Sequence, residues 1–435
     1  MKIKVNLLVP LAFFGVTLAF SAANSWSQTN FVVTLDRAIE RALLDDDWLT
    51  ANTEIERSLL EEAISAAQLP DPRVSVGLAN IPLDTFEFAQ EPMTQFRVGF
   101  NQTFPRGDTL KLSERQKIQQ SEVNPYLRDD RKARVSLLVS QLWLESYMSE
   151  QSVALIEADR SLFEQLVEIT SSRYTAGAGL ARQQDLIRAE LELVRLDDRL
   201  AMIRQQQDSN KQKLSQWLPD EFISAPLSAE LPELSPPETQ LSGLSEAADF
   251  FEQHPRILAH NKQIEVAQTK IELAQQSLKP SYSVGASYGY RDNAPMGVNR
   301  ADFVSLELNF DLPLFPDKRQ KPLIRASQYN ASAKQIERTL IFKDLFSSYQ
   351  QAMAELAILD ERQSLYVDTL LSQINDLTEA TLSAYTADEG DFEEVMRAYI
   401  AELNTKIELL QIDVARLRVI SRLNYLLARS EPEKE

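Results

Sequence analysis

Apolar residues alternate with small or polar residues in four short segments of the chain. The segments lie near 73–81, 94–103, 281–290 and 302–311. Their apolar positions are Val74, Val76 and Leu78; Phe96, Val98 and Phe100; Tyr282, Val284, Tyr288 and Tyr290; and Val304, Leu306, Leu308 and Phe310. A period of two predicts β-strands, and an apolar face opposite a small or polar face is typical of strands between lipid and water. Taken one at a time, the same segments also fit a half-buried sheet in a soluble domain.

Most of the remaining chain follows a helical pattern over long distances. The intervals 107–218 and 317–429 place apolar residues three or four positions apart and contain very little glycine, which costs roughly 1 kcal/mol inside a helix. We predict a long helical hairpin in each interval, with turns near 174–182 and 385–391. The interval from Phe104 to Tyr174 has the same length as that from Phe315 to Tyr385. A continuous helix over such an interval, about 70 residues, would be about 105 Å long.

The two halves of the chain repeat short motifs in the same order. Phe104-Pro105 recurs as Phe315-Pro316, and Tyr174-Thr175-Ala176 recurs as Tyr385-Thr386-Ala387, each about 210 residues later. We therefore predict an internal duplication, with 26–218 as the first repeat and 243–429 as the second. Each repeat would contain helices, two strands and one long helical hairpin.

Proline residues mark the expected interruptions. The segment 219–242 contains five prolines and is predicted to be a linker, or equatorial segment, between the repeats. Pro125 and Pro322 predict a kink or a helix break near the start of the two hairpins. The acidic tail, 430–435, is expected to be disordered.

The predicted elements place the protein in the α+β class, with mostly α structure. Four strands cannot close a barrel, and open strand edges are not tolerated in lipid. Several copies of the chain must therefore contribute strands to one shared transmembrane β-barrel. The sequence itself does not fix the number of copies.

The N-terminus and the charge balance indicate the compartment and exclude some partners. Residues 1–25 read as a cleaved signal peptide, because Lys2 and Lys4 precede an apolar run that ends in small residues. No cysteine follows this run, so we expect no lipid anchor. The chain has 45 Lys+Arg and 64 Asp+Glu, a formal net charge of −19, which argues against a nucleic-acid partner.

No pattern of catalytic residues is present in the sequence. It contains no cysteine and only two histidines, His254 and His260, and it lacks the common nucleophile, phosphate-loop and zinc motifs. We expect His254 to cap a helix and His260 to lie on the surface of that helix. The protein is therefore expected to be neither an enzyme nor a metal- or cofactor-binding protein.

Several motifs resemble the TolC family of outer-membrane efflux proteins, over nearly the whole mature chain. They are the Arg173-Tyr174-Thr175-Ala176-Gly177 turn with Asp185 and Ala189, His254-Pro255-Arg256-Ile257, Lys279-Pro280, and Leu312-Pro313-Leu314-Phe315. The stretches Pro70-Asp71-Pro72, Asn80-Ile81-Pro82 and Gln102-Thr103-Phe104-Pro105-Arg106-Gly107 look most like the heavy-metal efflux branch. Order and spacing, rather than any single motif, carry the resemblance.

The resemblance implies an architecture and a set of partners. It implies a homotrimer with a twelve-stranded barrel in outer-membrane lipid, and long antiparallel helical hairpins that form an α-barrel tunnel across the periplasm. The duct would meet a periplasmic adaptor (membrane fusion) protein and an inner-membrane pump. The docking residues it implies at the periplasmic tips are Tyr174, Thr175, Gly177, Arg182, Asp185, Tyr385 and Thr386.

The second turn is acidic, whereas the first is not. Asp388, Glu389, Asp391, Glu393 and Glu394 cluster there. Acids favour the first turn of a helix, so helix capping by Asp391 is one interpretation. The other is a symmetric acidic ring of Asp388 and Asp391 around the periplasmic aperture, which would favour cations and could be held closed by Arg182 or Arg397.

Two functions compete on this sequence. The first is a passive outer-membrane channel subunit of a tripartite efflux or export system. The alternative is a periplasmic coiled-coil adaptor or scaffold protein without a pore, which would not need two apolar-faced strand hairpins. A secreted enzyme is disfavoured by the missing site, and the transported substrate is not encoded in any motif.

Overall fold

The protein is described by a computed structural model covering residues 32–175, 182–236, 239, 241, 243–387 and 389–430. The elements of the first half are α1 (Leu35–Leu44), α2 (Asp47–Ala66), β1 (Arg73–Ala79), β2 (Gln95–Phe104), α3 (Thr109–Ser121), α4 (Asn124–Thr175) and α5 (Gln183–Leu214). After the short α6 (Asp220–Ser224) come α7 (Leu244–Phe251), α8 (Pro255–Gln276), β3 (Ser281–Tyr290), β4 (Phe303–Asp311), α9 (Gln320–Leu365), α10 (Leu371–Thr386) and α11 (Phe392–Leu426). The expected mostly helical fold with long helices and a small antiparallel sheet is confirmed.

Proline and asparagine end one helix and begin the next at the start of the first hairpin. α3 ends at Ser121 and α4 begins at Asn124, with Pro125 in its first turn, where a missing N–H costs no hydrogen bond. The Asn124 amide donates to the carbonyls of Gln120 and Ser121, at 3.3 and 3.1 Å, and so satisfies the end of α3. In the second half Pro322 lies in the first turn of α9, which continues through it, so a helix break is found near Pro125 and none at Pro322.

A π-helical turn interrupts the long helix of the second half. Residues Tyr366–Leu370 form it between α9 and α10, without a break in the chain direction. The Tyr366 hydroxyl donates to Glu408 on α11, at 2.7 Å, and fixes the turn against its neighbour. α4 is a continuous helix of 52 residues, so the two hairpins differ in this feature.

Two apolar clusters hold the helices together. The larger joins α1, α4, α7, α9 and α11 around Trp143, Phe251 and Leu345, which are almost completely buried. The smaller lies toward the tips of the hairpins, around Ile156 and Phe163 of α4. Complete burial of such a side chain contributes about 1.5–3 kcal/mol, so these clusters fix how the hairpins pack.

The segment between the halves packs along the larger cluster. Phe222 of α6 and Leu234 contact it as partly buried side chains. Leu241 donates its N–H to the Tyr349 hydroxyl at 3.0 Å, and Leu227 forms a parallel bridge with Val33. The segment therefore adds packing around the outside of the helices.

The elements form open rows rather than a closed core. The four strands are hydrogen-bonded in the order β1-β2-β3-β4, all antiparallel. Next to the sheet, α2, α3, α8 and α9 pack in that order, and further along α5, α4, α11 and α10 do the same. In every row a first-half element lies at one edge and a second-half element lies at the other.

Within the described residues, no helix combines enough length with enough apolar character to cross a bilayer.

Candidate functional site

One face of the sheet is a continuous apolar surface. Register places Val76, Val98, Tyr288 and Val304 side by side, and the neighbouring rows repeat this arrangement. These side chains are exposed, with fractions from 39% at Val98 to 82% at Leu306. No described element of the chain covers this surface, which is the pattern of lipid-facing strands. We call it the apolar sheet face.

The opposite face is polar and built mainly from small residues. Its glycines and serines are Ser75, Gly77, Gly99, Ser281, Ser283, Gly285, Ser287, Gly289 and Ser305. A Cβ atom added at Gly99 would lie 2.6 Å from the Ser75 hydroxyl, so bulk is excluded there by the neighbouring strand. Long side chains on this polar sheet face are few, and Arg97 and Glu307 are two of them.

Both edges of the sheet are open among the described residues. β1 pairs only with β2, and β4 pairs only with β3. Each edge leaves backbone donors and acceptors unpaired. Such an edge tends to pair with a strand of another chain. Ion pairs attach the sheet to the helices, where Arg106 pairs with Asp311 and Lys279 pairs with Asp108 at 2.9 Å.

The first tip combines exposed residues with one buried carboxylate. Tyr174 is 44% exposed, and Thr175 and Arg182 are also exposed. Asp185 is buried and accepts a hydrogen bond from the Arg182 N–H at 2.9 Å, which caps the start of α5. Gly177, predicted to be a docking residue, lies outside the described residues.

The second tip is a tight turn around a buried tyrosine. Tyr385 is 3% exposed and packs edge-to-face on Phe392, with ring centroids 5.9 Å apart. Gly390 passes so close that an added Cβ would lie 2.8 Å from the Tyr385 nitrogen. Thr386 is exposed. Tyr385, like Asp185, therefore shapes its tip from inside, whereas Thr386 is available to a partner.

Arginines of the first hairpin contact the second tip. The guanidinium of Arg173 lies 4.5 Å from the Tyr385 ring centroid and donates to the Thr386 carbonyl at 3.4 Å. Arg188 of α5 pairs with Glu393 of α11. No local pattern in the sequence indicates these contacts, since about 200 residues separate the partners.

In the acidic second turn, the Asp391 side chain does not cap the start of α11. Asp391 has the extended backbone of an N-cap residue, but its side chain makes no capping hydrogen bond and is exposed. Arg397, a predicted partner of the acidic aperture, pairs with Glu393 at 3.7 Å. Asp388 lies outside the described residues.

The two histidines are both buried, so the prediction that His260 lies on the surface is wrong. α8 packs against α9, and His260 faces that interface, with Nε2 3.4 Å from Glu337. His254 caps α8 as predicted, because its Nδ1 accepts the Arg256 N–H at 3.2 Å. Burial lowers the pKa of both imidazoles.

Metal-ligating side chains do not converge in the part of the chain that the structure describes. Among those residues, no group of three or more histidines, aspartates and glutamates could hold a metal ion.

Comparison with known proteins gives a clear result only at the level of structure. No family model matches the sequence, and no curated protein matches it. The outer-membrane channel OprN has a TM-score of 0.74 at 13% identity, covering 91% of this chain and 90% of that one. The Campylobacter jejuni CmeC outer-membrane channel has a TM-score of 0.74 at 14% identity, covering 97% and 93%. The chain has the fold of these outer-membrane channels.

The channel fold is matched about equally by several different channels. CusC, described as forming a transmembrane channel, has a TM-score of 0.72 at 16% identity, covering 91% of this chain and 92% of that one. Because the TM-scores of these channels are nearly equal, structural similarity does not single out one branch of such channels.

Proposed function

We propose that the protein is a channel subunit of a tripartite efflux or export system in the bacterial outer membrane. The apolar sheet face carries the proposal, because it exposes large side chains on every strand and ends in two open edges. A soluble scaffold would gain nothing from such a surface, whereas lipid would cover it and neighbouring copies would pair its edges. The channel fold supports the same conclusion.

Closure of the ring follows from the order of the rows. If the β4 edge of one copy pairs with the β1 edge of the next, the contact is head-to-tail and closes after a whole number of copies. Three copies give twelve strands, so we propose a homotrimer with a twelve-stranded transmembrane barrel. The rotation that relates one copy to the next also places the helical rows of neighbouring copies edge to edge, so that they form a tunnel. The repeated order of the elements suits a duplicated chain.

Apolar side chains are available at both edges of the helical rows. α5 exposes Ile187, Leu191 and Val194 along one edge, and the opposite edge exposes Leu365 and Leu377. The four- and three-residue spacing on α5 is that of helix–helix contacts. These stripes support the proposed contacts between copies.

The tips are the proposed docking surface for the partners. A periplasmic adaptor protein would contact Tyr174, Thr175, Arg182 and Thr386, on the surface that Asp185 and Tyr385 shape, with Gly177 in the same turn. An inner-membrane pump would supply the energy, since the duct itself is passive.

Residues 1–25 would direct export without a lipid anchor. The heavy-metal resemblance makes metal ions the first cargo to test.

The acidic second turn is the proposed aperture. In a ring, three copies of Asp388 and Asp391 would surround the axis and attract cations. The exposed Asp391 carboxylate, free of a capping bond, supports this assignment.

A pair of single substitutions on β4 tests the membrane assignment. Leu306 lies on the apolar sheet face and is 82% exposed, whereas Ser305 lies on the polar face. An aspartate at Leu306 would meet lipid at a cost of up to about 2 kcal/mol in each copy, whereas one at Ser305 would meet water. Leu306→Asp should greatly reduce the heat-modifiable oligomer in outer-membrane fractions, and Ser305→Asp should leave it near the wild-type amount.

Two results would contradict the proposal. Wild-type protein recovered only from the soluble periplasmic fraction would favour the adaptor or scaffold function instead. Equal loss in both variants would show that the two faces do not differ in environment.

A further inference from the structure

An ion pair on the polar sheet face joins β2 to β4 across the intervening strand, β3. Arg97 projects from β2, donates from Nε to the Ser287 hydroxyl of β3 at 3.1 Å, and reaches Glu307 of β4 at 3.5 Å. The two charged residues belong to strands that are not neighbours, so the arginine side chain must lie along the surface of β3.

Small residues on β3 make this path possible. Arg97 is directly opposite Gly289, and Glu307 is directly opposite Gly285, while Ser287 lies between them. The side chains of Gln95 and Asn101 lie over Gly289 and Gly285, where a larger residue would displace them, and the arginine crosses β3 at Ser287. The run of glycine and serine on β3 therefore provides a flat path for the arginine.

Few other charges face the same side of the four strands. They are Arg73 and Asp311, and Asp311 is already paired with Arg106 near the helices. Arg97 and Glu307 keep 40% and 54% of their side-chain surface exposed. A solute moving along this face would meet both ends of the pair.

We propose that Arg97 and Glu307 set the charge selectivity of the duct where it passes through the sheet. The inference rests on the proposed function, which places the polar sheet face around a water-filled pore. Repeated in each copy, the pair forms a ring of balanced charge. With both members present, this ring itself favours neither cations nor anions, and removal of one member exposes the charge of the other.

The magnitude follows from the electrostatics of charges in water. At ε ≈ 80, three unit charges roughly 10 Å from a permeating ion favour one sign of ion and disfavour the other by about five- to eightfold each, which corresponds to about a 20- to 70-fold change in the cation-to-anion permeability ratio. At about 10 mM salt the screening length is roughly 30 Å, so the effect is largely retained.

The experiment compares ion selectivity of purified full-length protein in planar bilayers with a KCl gradient. Arg97→Gln should shift the reversal potential toward K⁺ selectivity, and Glu307→Gln should shift it toward Cl⁻ selectivity. The exchange Arg97→Glu with Glu307→Arg should return it close to the wild-type value. Arg41→Gln, which removes an arginine from an ion pair on α1, is the matched control and should leave it unchanged.

The outcomes separate this inference from the proposed function. Wild-type protein that forms no conducting pore would overturn the proposed function and this inference together. Conducting pores in which both single variants keep the wild-type selectivity, or shift in the same direction, would overturn only the inference. A purely structural ion pair would lower the yield of oligomer in both variants without opposite shifts in selectivity.

Discussion

His254 is fully buried at the start of α8 and uses both of its ring nitrogens. Nδ1 accepts the Arg256 N–H, and Nε2 lies 3.2 Å from the Tyr425 carbonyl near the end of α11, to which it donates as a neutral imidazole. The Tyr425 hydroxyl in turn donates to Asp130 of α4 at 3.2 Å. The neutral His254 ring and the Tyr425 side chain together connect three helices.

Acid should weaken this connection. Burial lowers the pKa of His254 below its usual 6.5, and Arg256 acts in the same direction, so the unfolded chain binds the proton more readily than the folded chain. The stabilisation from the neutral ring is therefore complete above about pH 6.5 and decreases as the pH falls below it. Every tenfold difference in proton affinity between the folded and unfolded chain corresponds to about 1.4 kcal/mol of stability.

The measurement is the temperature at which the detergent-solubilised oligomer dissociates, at pH 7.5 and pH 5. The dissociation temperature of the wild-type protein should be several degrees lower at pH 5 than at pH 7.5. His254→Asn retains an oxygen acceptor for the cap without a titrating group, so its dissociation temperature should fall less between pH 7.5 and pH 5. An identical acid shift in wild type and variant would contradict the role assigned to His254. His260→Gln, which removes the other buried imidazole, is the companion variant.

The sequence predicts helices of equal length in both halves, and the structure builds them in different ways. The interval from Phe104 to Tyr174 equals that from Phe315 to Tyr385. The first half includes a break between α3 and α4, whereas the second continues through the π-turn Tyr366–Leu370. Proline signals the break, but no residue type signals a π-turn, because it depends on contacts such as Tyr366 with Glu408.

The strands are predictable from the sequence, and their long-range contacts are not. Alternation at Val304, Leu306 and Leu308 is a local signal that depends only on a period of two. The pairing of Arg97 with Glu307 depends on which strands become neighbours, which is a property of the folded sheet. Burial of His260 likewise depends on how α8 packs against α9, which the helical pattern of α8 alone does not reveal.

The second tip supports a prediction at the level of the helical hairpin. If the acidic turn lines the aperture, Asp388→Asn with Asp391→Asn should lower K⁺ over Cl⁻ selectivity and relieve block by multivalent cations, because the ring loses its negative charge. Single-channel recording in planar bilayers measures both quantities. Glu394→Gln, in the first turn of α11, is a control for the loss of helix-start charge alone. Unchanged selectivity and unchanged block in the double variant would leave helix-start chemistry as the role of these acids.

The open rows make a prediction for the whole assembly. β1 and β4 lie three strand spacings apart within one copy, about 14 Å, so cysteines on these two strands cannot form a disulfide inside one chain. The natural chain has no cysteine. A chain carrying Ser75→Cys and Ser305→Cys, with a bifunctional cross-linker of about 8 Å to allow for register, should therefore join neighbouring copies.

A closed ring and an open chain of copies give different products. Closure after three copies should give covalent trimer as the largest band on a denaturing gel, whereas an open filament would give a ladder that continues upward. Each single-cysteine chain is the control and should remain monomeric under the same conditions. A dominant dimer would show that the edges pair symmetrically, β1 with β1 or β4 with β4, which the proposed ring excludes.

The two open edges also determine how a defective copy behaves beside a normal one. Each edge is completed only by a neighbour, so a chain with a damaged β1 edge spoils any ring that it joins. In a cell making equal amounts of both chains, random assembly in threes leaves only about one ring in eight free of the damaged chain. A substitution confined to such an edge would therefore act as a dominant trait, whereas one that prevents the chain from folding would act as a recessive one.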